Sequence, residues 1–205
     1  MPVVVVANPK GGVGKSTLAT NLAGYWASQG HTVMLGDADR QQSSRQWLAL
    51  RPQTARAIGT WDIQSDFVVK PPRGTTHVVI DTPGGLSGWR MGDLFNLADK
   101  VLVPLQPSVF DMNATRDFLA ELAAKRHTRG VELGVVGMRV NLRTLAAQQL
   151  QQFVQELGVP CLGMLRSTQN YVTLAANGLT LFDLPPARAE RDLAQWQELT
   201  AWLDR

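Results

Sequence analysis

The segment Lys10-Gly-Gly-Val-Gly-Lys15-Ser16-Thr17 packs glycines, lysines and hydroxyls into one short stretch directly after Pro9. This set of residues suits the holding of a phosphate chain. Gly11, Gly12 and Gly14 let consecutive backbone N–H groups turn inward and approach phosphate oxygens closely. A helix starting at the end of such a loop adds its positive N-terminal end. In that arrangement Lys15 contacts the β- and γ-phosphates of ATP, and the Ser16 hydroxyl ligates Mg²⁺. The competing reading is a glycine-rich turn that happens to carry Lys-Ser. Position decides against it, because the loop follows an apolar run, Val3 to Ala7, and precedes a helical pattern.

Carboxylates stand at two comparable places. Asp81 follows Val78-Val79-Ile80, so it ends an apolar strand, where a carboxylate holds Mg²⁺ through water. Thr82-Pro-Gly-Gly after it is flexible and suited to sensing a γ-phosphate. Asp37 and Asp39 also follow a strand and could serve the metal and the attacking water. For each aspartate the alternative is a helix cap or turn residue.

The elements that must position these groups alternate. Continuous β-branched or apolar runs predict strands at Val3–Ala7, Thr32–Leu35, His77–Ile80, Val101–Pro104, Val131–Val140 and Val159–Met164. Helical periodicity covers Ser16–Gln29, Ser43–Leu50, Trp89–Ala98, Asp111–Arg126, Leu145–Leu157, Gln169–Asn177 and Ala189–Leu203. Residues 51–76 are weakly patterned, with one short strand expected at Ala55–Ile58. The alternation predicts an α/β fold: one domain over residues 1–205, with a twisted, mostly parallel sheet and helices on both faces.

Bulk composition agrees. The 205 residues are 44% hydrophobic, enough for one well-buried core. No apolar run reaches the roughly 18 residues a membrane span needs. The apolar N-terminus lacks a basic region and reads as a strand, not a signal peptide. Cys161 is the single cysteine, which excludes an internal disulfide, fits a reducing cytoplasm and reads as a buried small hydrophobe. The three histidines are isolated and suggest no metal site, and the six tryptophans read as core or interface packing. Trp89 is the exception, placed to contact a partner. A net charge of +3 permits contact with nucleic acid without demanding it.

Lysine at position 10 goes beyond what a phosphate loop needs. Lys10 through Thr17 resembles the deviant Walker A motif of the ParA/MinD family of P-loop ATPases, and is closest to small ParA-type partition proteins. Asp37-Ala-Asp39 with Gln41 resembles the family's Asp-x-Asp-Pro-Gln segment, Asp81-Thr-Pro-Gly-Gly its switch II, and Gln106-Pro-Ser-Val-Phe-Asp111 its Pro-Ser segment. Gly178 through Pro185 resembles the late strand and loop near the base. Arg40 departs from the pattern, standing where the family has proline, which puts the path of switch I in question.

The resemblance implies an ATP-dependent homodimer in which Lys10 reaches the partner's phosphates. It assigns hydrolysis to Asp39 and the metal and switch I to Asp37, and it puts adenine contacts at Asn141, Leu184 and Pro185. It also implies non-specific DNA binding on the nucleoid, slow hydrolysis stimulated by a ParB-like partner, and cargo that is a plasmid, a chromosome or a protein cluster.

Residues suited to DNA contact are Arg143, which with Thr144 resembles the Arg-Thr of ParA proteins, and Arg166, Arg188 and Arg191. Arg126, Arg129 and Arg139 are further basic positions. For any single arginine the alternative is a solvated face or an ion pair. A MinD-like membrane role would use the apolar stripe Leu193, Trp196, Leu199, Leu203. Glu190, Asp192, Glu198 and Asp204 on the same helix favour packing against the sheet instead. An iron–sulfur electron carrier of similar build would need a cysteine pair from each subunit, and only Cys161 is present. A ligase would need a second substrate pocket, which no motif marks.

Overall fold

The computed structural model describes residues 1–63, 70–85, 88–124 and 130–205, with the side chains of 88–91 outside that description. Arg126, Arg129 and the Trp89 side chain therefore lie outside the described residues. Six strands form one sheet: β1 (Val3–Val6), β2 (Val33–Asp37), β3 (His77–Asp81), β4 (Lys100–Leu105), β5 (Glu132–Val140) and β6 (Cys161–Arg166). Their order is β2-β3-β1-β4-β5-β6, and every pair is parallel. The helices are α1 (Lys15–Ser28), α2 (Ser43–Leu50), α3 (Gly88–Leu97), α4 (Val109–Ala124), α5 (Leu145–Glu156), α6 (Gln169–Ala176), α7 (Pro186–Leu193) and α8 (Gln197–Leu203).

The all-valine β1 is buried along its length because helices cover both sides of the sheet. On one face Leu18, Leu22 and Trp26 of α1 meet Trp47, Trp196, Leu199 and Trp202. On the other, Phe95 of α3, Phe118 and Leu122 of α4 and Leu150 of α5 pack on Val5, Ile80 and Val103. Each such side chain contributes about 1.5–3 kcal/mol by leaving water. The apolar stripe of the C-terminal segment is thus spent on the core, as its acidic polar face suggested.

Strand β1 lies between β3 and β4, where the chain's winding reverses, and ligands of parallel sheets bind outside the carboxyl ends of strands at such a point. Register sharpens this. Val6 pairs with Asp81, and Asp81 with Asp37, so the phosphate loop and both carboxylates leave the sheet at one level.

Three expectations need correction. Ala55–Ile58 forms no strand; only Gly59 pairs with β2, through an isolated bridge to Met34. The stretch Gly178 through Pro185 holds a 3₁₀ turn, Leu181–Asp183, in place of a late strand, because Thr180 and Asp183 cap each other across it. The last helix starts at Pro186 and is interrupted by a 3₁₀ turn at Ala194–Trp196. That break brings Gln195 onto the open edge of β6, where its Oε1 accepts from Arg166 N at 2.9 Å. Cys161 is half-buried at this edge, where burial pushes its thiol pKa up.

Candidate nucleotide-binding site

The loop after β1 is held from several sides. Asn8, buried, donates from Nδ2 to the Pro104 carbonyl at 2.8 Å and to Thr115 Oγ1 at 3.0 Å. Its Oδ1 accepts from Lys10 N at 2.8 Å. Gln106 donates from Nε2 to the Gly12 carbonyl at 2.8 Å, so the segment after β4 braces the loop. Gly85 N donates to the Pro9 carbonyl at 2.7 Å, and a Cβ at Gly84 would lie 3.3 Å from Gly11 N. The stretch after Asp81 therefore rests on the phosphate loop itself.

Gly14 makes the turn into α1 with a left-handed φ of 103°. A side chain there would be strained, and its Cβ would meet Met138 Cε at 2.8 Å. Lys15 follows as the first helical residue. It is 7% exposed, and its Nζ donates to the Lys10 carbonyl at 2.7 Å. Burial lowers its pKa, while the nearby Asp81 and Asp39 carboxylates pull it back up. This is an ammonium held over the loop by one carbonyl, ready to exchange it for phosphate oxygen.

Beneath the loop sit the carboxylates. Asp81 is 1% exposed, and its Oδ2 accepts from Ser44 Oγ at 2.7 Å. Its Oδ1 is buried with no hydrogen-bond partner. Burial pushes the Asp81 pKa up to about 6; the Ser16 and Ser44 hydroxyls and Lys15 oppose this, and Asp37 adds to it. Asp37 Oδ1 accepts from Asp39 N at 3.0 Å and its Oδ2 from Arg45 N at 3.1 Å. Burial raises the Asp37 pKa; backbone N–H groups of Arg45, Asp39 and Ser44 lower it, and Asp39 raises it again. An orphaned, buried carboxylate oxygen beside a serine hydroxyl and a second carboxylate is an all-oxygen set that fits a hard cation such as Mg²⁺. Ser16 and Asp81, with Asp37 behind them, would hold it, and bound there it would neutralise phosphate charge.

Arg40 follows the path a proline would take. Gln42 N donates to the Asp39 carbonyl at 3.0 Å, closing a turn, and Asp39 Oδ1 accepts from Gln41 N at 2.9 Å. Arg40 is the second residue of that turn, the position proline favours, so the substitution leaves the turn intact.

A cleft of about 440 Å³ opens over these groups. Of the residues expected at the site, Gly11, Gly12, Gly14, Lys15, Ser16, Thr17 and Asp39 line it. Val13 is buried under the loop, and Lys10 is exposed without lining its own cleft. Asn141 is exposed beyond β5, its Oδ1 accepting from Arg143 N at 3.2 Å. Leu184 and Pro185 follow the 3₁₀ turn, with Leu184 packed on the core. None of these three lines the cleft or the groove of about 180 Å³ beside it. Arg143, Arg188 and Arg191 are exposed, whereas Arg166 is tied through Nε to Asp192, itself 1% exposed.

Gln41, Pro83 and Gly84, from the segments expected to surround the phosphates, also line the cleft; the sequence gives no such role to Ser43 and Arg139 in its wall or to Ser44 under it. Ser44 carried a usable signal, a hydroxyl in the first turn of the helix after the Asp37–Asp39 loop. Arg139 carried none, because a β-bulge late in β5 is what turns it toward the cleft.

A parallel sheet whose central strand ends in a glycine cradle, with a buried carboxylate at the next strand's end, defines a P-loop nucleotide-hydrolysing protein. Residues 4–181 match the CobQ/CobB/MinD/ParA nucleotide binding domain, and the chain belongs to that family as a ParA/MinD-type ATPase. It is 30% identical to Maintenance of carboxysome distribution protein A of Gloeobacter kilaueensis, covering 99% of this chain and 94% of that one. It is 28% identical to the chromosome-partitioning ATPase Soj of Thermus thermophilus, covering 72% of this chain and 73% of Soj. In fold it is similar to an ATP complex of an aspartate-to-alanine McdA variant from Cyanothece, with a TM-score of 0.77, 17% identity and coverage of 98% and 96%.

Proposed function

We propose that the chain is a single-domain ATPase that positions cargo by switching between a nucleotide-bound dimer and a released monomer. Mg²⁺-ATP sits on Gly11–Thr17 with Lys15 at its β- and γ-phosphates, and the base enters the groove lined by Met138, Ser167 and Thr168. Asp39 at the cleft rim orients the attacking water, a task that needs placement more than basicity. The observation that carries the dimer is Lys10. It is exposed and does not line its own cleft, which suits its ammonium to the phosphates of a second copy.

The dimer binds duplex DNA without sequence preference through Arg143, Arg188 and Arg191, which are exposed. Arg166 is held back by Asp192. A partner protein stimulates hydrolysis and release on the nucleoid. The likeness to a carboxysome-distribution protein over 99% of the chain, against 72% for Soj, favours a protein body over a plasmid or chromosome as cargo. Trp196, Leu199 and Leu203 are buried in the core, which favours packing over a membrane role for that stripe. Among the described residues no helix is long and apolar enough to cross one.

The test is retention of duplex DNA by the protein with ATP, with ADP and without nucleotide, over rising salt. The reading expects ATP-dependent retention that falls steeply with salt and is lost in an Arg143→Ala, Arg188→Ala, Arg191→Ala triple variant. Equal retention with ADP, or none with ATP at low salt, contradicts it.

A further inference from the structure

Arg139 is out of place for a strand residue. It lies within β5, yet its φ is 54°, in the left-handed region, inside the register shift between Gly137 and Val140 that interrupts the pairing of β5 with β6. Non-glycine residues seldom hold that conformation, and where they do the cause is worth seeking at the side chain. The side chain is exposed, and among the described residues no hydrogen bond or ion pair holds its guanidinium. It belongs to two cavities at once. It lines the phosphate cleft opposite Gly14, Lys15 and Thr17, and it lines the groove with Met138, Ser167 and Thr168. Gly14 and Thr17 are likewise shared by both. Arg139 therefore stands over the seam where the two spaces meet.

We propose that Arg139 clamps the α-phosphate of the bound nucleotide, an inference that rests on the nucleotide reading above. With the β- and γ-phosphates at Lys15 and the base in the groove, the seam receives the α-phosphate and ribose. A guanidinium presents paired N–H donors that match two phosphate oxygens, which an ammonium cannot do. The strained backbone sets the direction in which the side chain leaves the strand, toward the seam. Because the α-phosphate is common to ATP and ADP, Arg139 sets affinity for both nucleotides.

The test uses calorimetry of the full chain with Mg²⁺-ADP and with a non-hydrolysable ATP analogue, on wild type, Arg139→Ala, Arg139→Gly and Arg139→Lys. Both ligands should bind about tenfold or more weakly to the Ala and Gly variants, with Lys in between. Glycine relieves the positive φ, so Arg139→Gly should melt at or above the wild-type temperature without nucleotide, which separates lost binding from lost folding. Affinities unchanged in both Ala and Gly overturn the proposal, as does a loss confined to the ATP analogue, which would place the side chain at the γ-phosphate. Wild type that binds neither nucleotide sinks the nucleotide reading itself, a result distinct from either.

Discussion

Ser44 Oγ donates to Asp81 Oδ2 at 2.7 Å, joining the first turn of α2 to the carboxylate at the end of β3. Through this bond the helix after the Asp37–Asp39 loop rests on the group that would hold the metal. The other oxygen of Asp81 is left without a partner in a buried setting. A cation bound there would supply the missing partner.

The Asp81 pKa is raised to about 6, so the folded state binds this proton more tightly than the unfolded chain does. The resulting stability is fully present below about pH 4 and is lost as pH rises through about 6. At neutral pH the buried charge costs on the order of 2–3 kcal/mol. Asp81→Asn should therefore raise the nucleotide-free melting temperature at pH 7.5 and flatten its rise between pH 7 and 5. The same variant should lose the added stability that wild type gains from Mg²⁺-ATP. Thermal melts across that range, with and without Mg²⁺-ATP, check both parts.

His77 should act with the opposite sign at the other end of the sheet. Its ring lies 3.8 Å from that of His31 and 4.7 Å from that of Trp26. Burial, then His31 and the N-terminal ammonium, lower its pKa to about 4, with Asp204 opposing them. Stability is present above about pH 6.5 and is lost as pH falls toward 4. His77→Gln should remove that loss, so the difference in stability between the variant and wild type shifts in the variant's favour from pH 7 to pH 5. A constant difference across that range in urea titrations would contradict the assignment.

Arg51 and Asp183 form a buried fork, NH2 to Oδ1 at 2.8 Å and NH1 to Oδ2 at 3.0 Å. Arg51 also donates to the carbonyls of Arg56 and Gly178. It ties the end of α2 to the 3₁₀ turn, far from the phosphates. Asp183→Ala leaves a buried guanidinium and should cost about 3–5 kcal/mol, read from chemical denaturation. Below the melting temperature, ATP affinity should stay within a few-fold of wild type.

Phe110, at the start of α4, is 77% exposed beside Val109, also exposed. The segment leading into it braces the phosphate loop through Gln106, so this apolar pair lies at the same end of the molecule as Lys10. Its burial between two copies would contribute about 1.5–3 kcal/mol per side chain. Phe110→Asp should weaken ATP-dependent dimerisation by about tenfold or more in analytical ultracentrifugation, while a monomer's affinity for ADP is unchanged.

Much of the fold was legible because its signals are local. The valine run of β1, the apolar run before Asp81 and the glycine loop mark buried strands and their turns without reference to the rest of the chain. The Gly11–Thr17 cradle was legible for the same reason. What was not legible depends on tertiary context. The 3₁₀ break at Ala194–Trp196 exists to set Gln195 against β6, and Leu181–Asp183 is a turn because Asp183 serves both Thr180 and Arg51. Arg139 reaches the cleft only because of a bulge, and Arg166 is turned from a free cation into half of an ion pair by Asp192, 26 residues away. Asn141, Leu184 and Pro185 rest on resemblance alone, and they line neither the phosphate cleft nor the groove beside it.

The central claim is that Gly11–Thr17 and Lys15 cradle a triphosphate with Mg²⁺. Titration calorimetry of wild type and Lys15→Ala with ATP, with and without Mg²⁺, tests it most directly. Wild type should bind saturably and more tightly with Mg²⁺, and Lys15→Ala should not bind. No heat of association with wild type, or binding undiminished in Lys15→Ala, would contradict it.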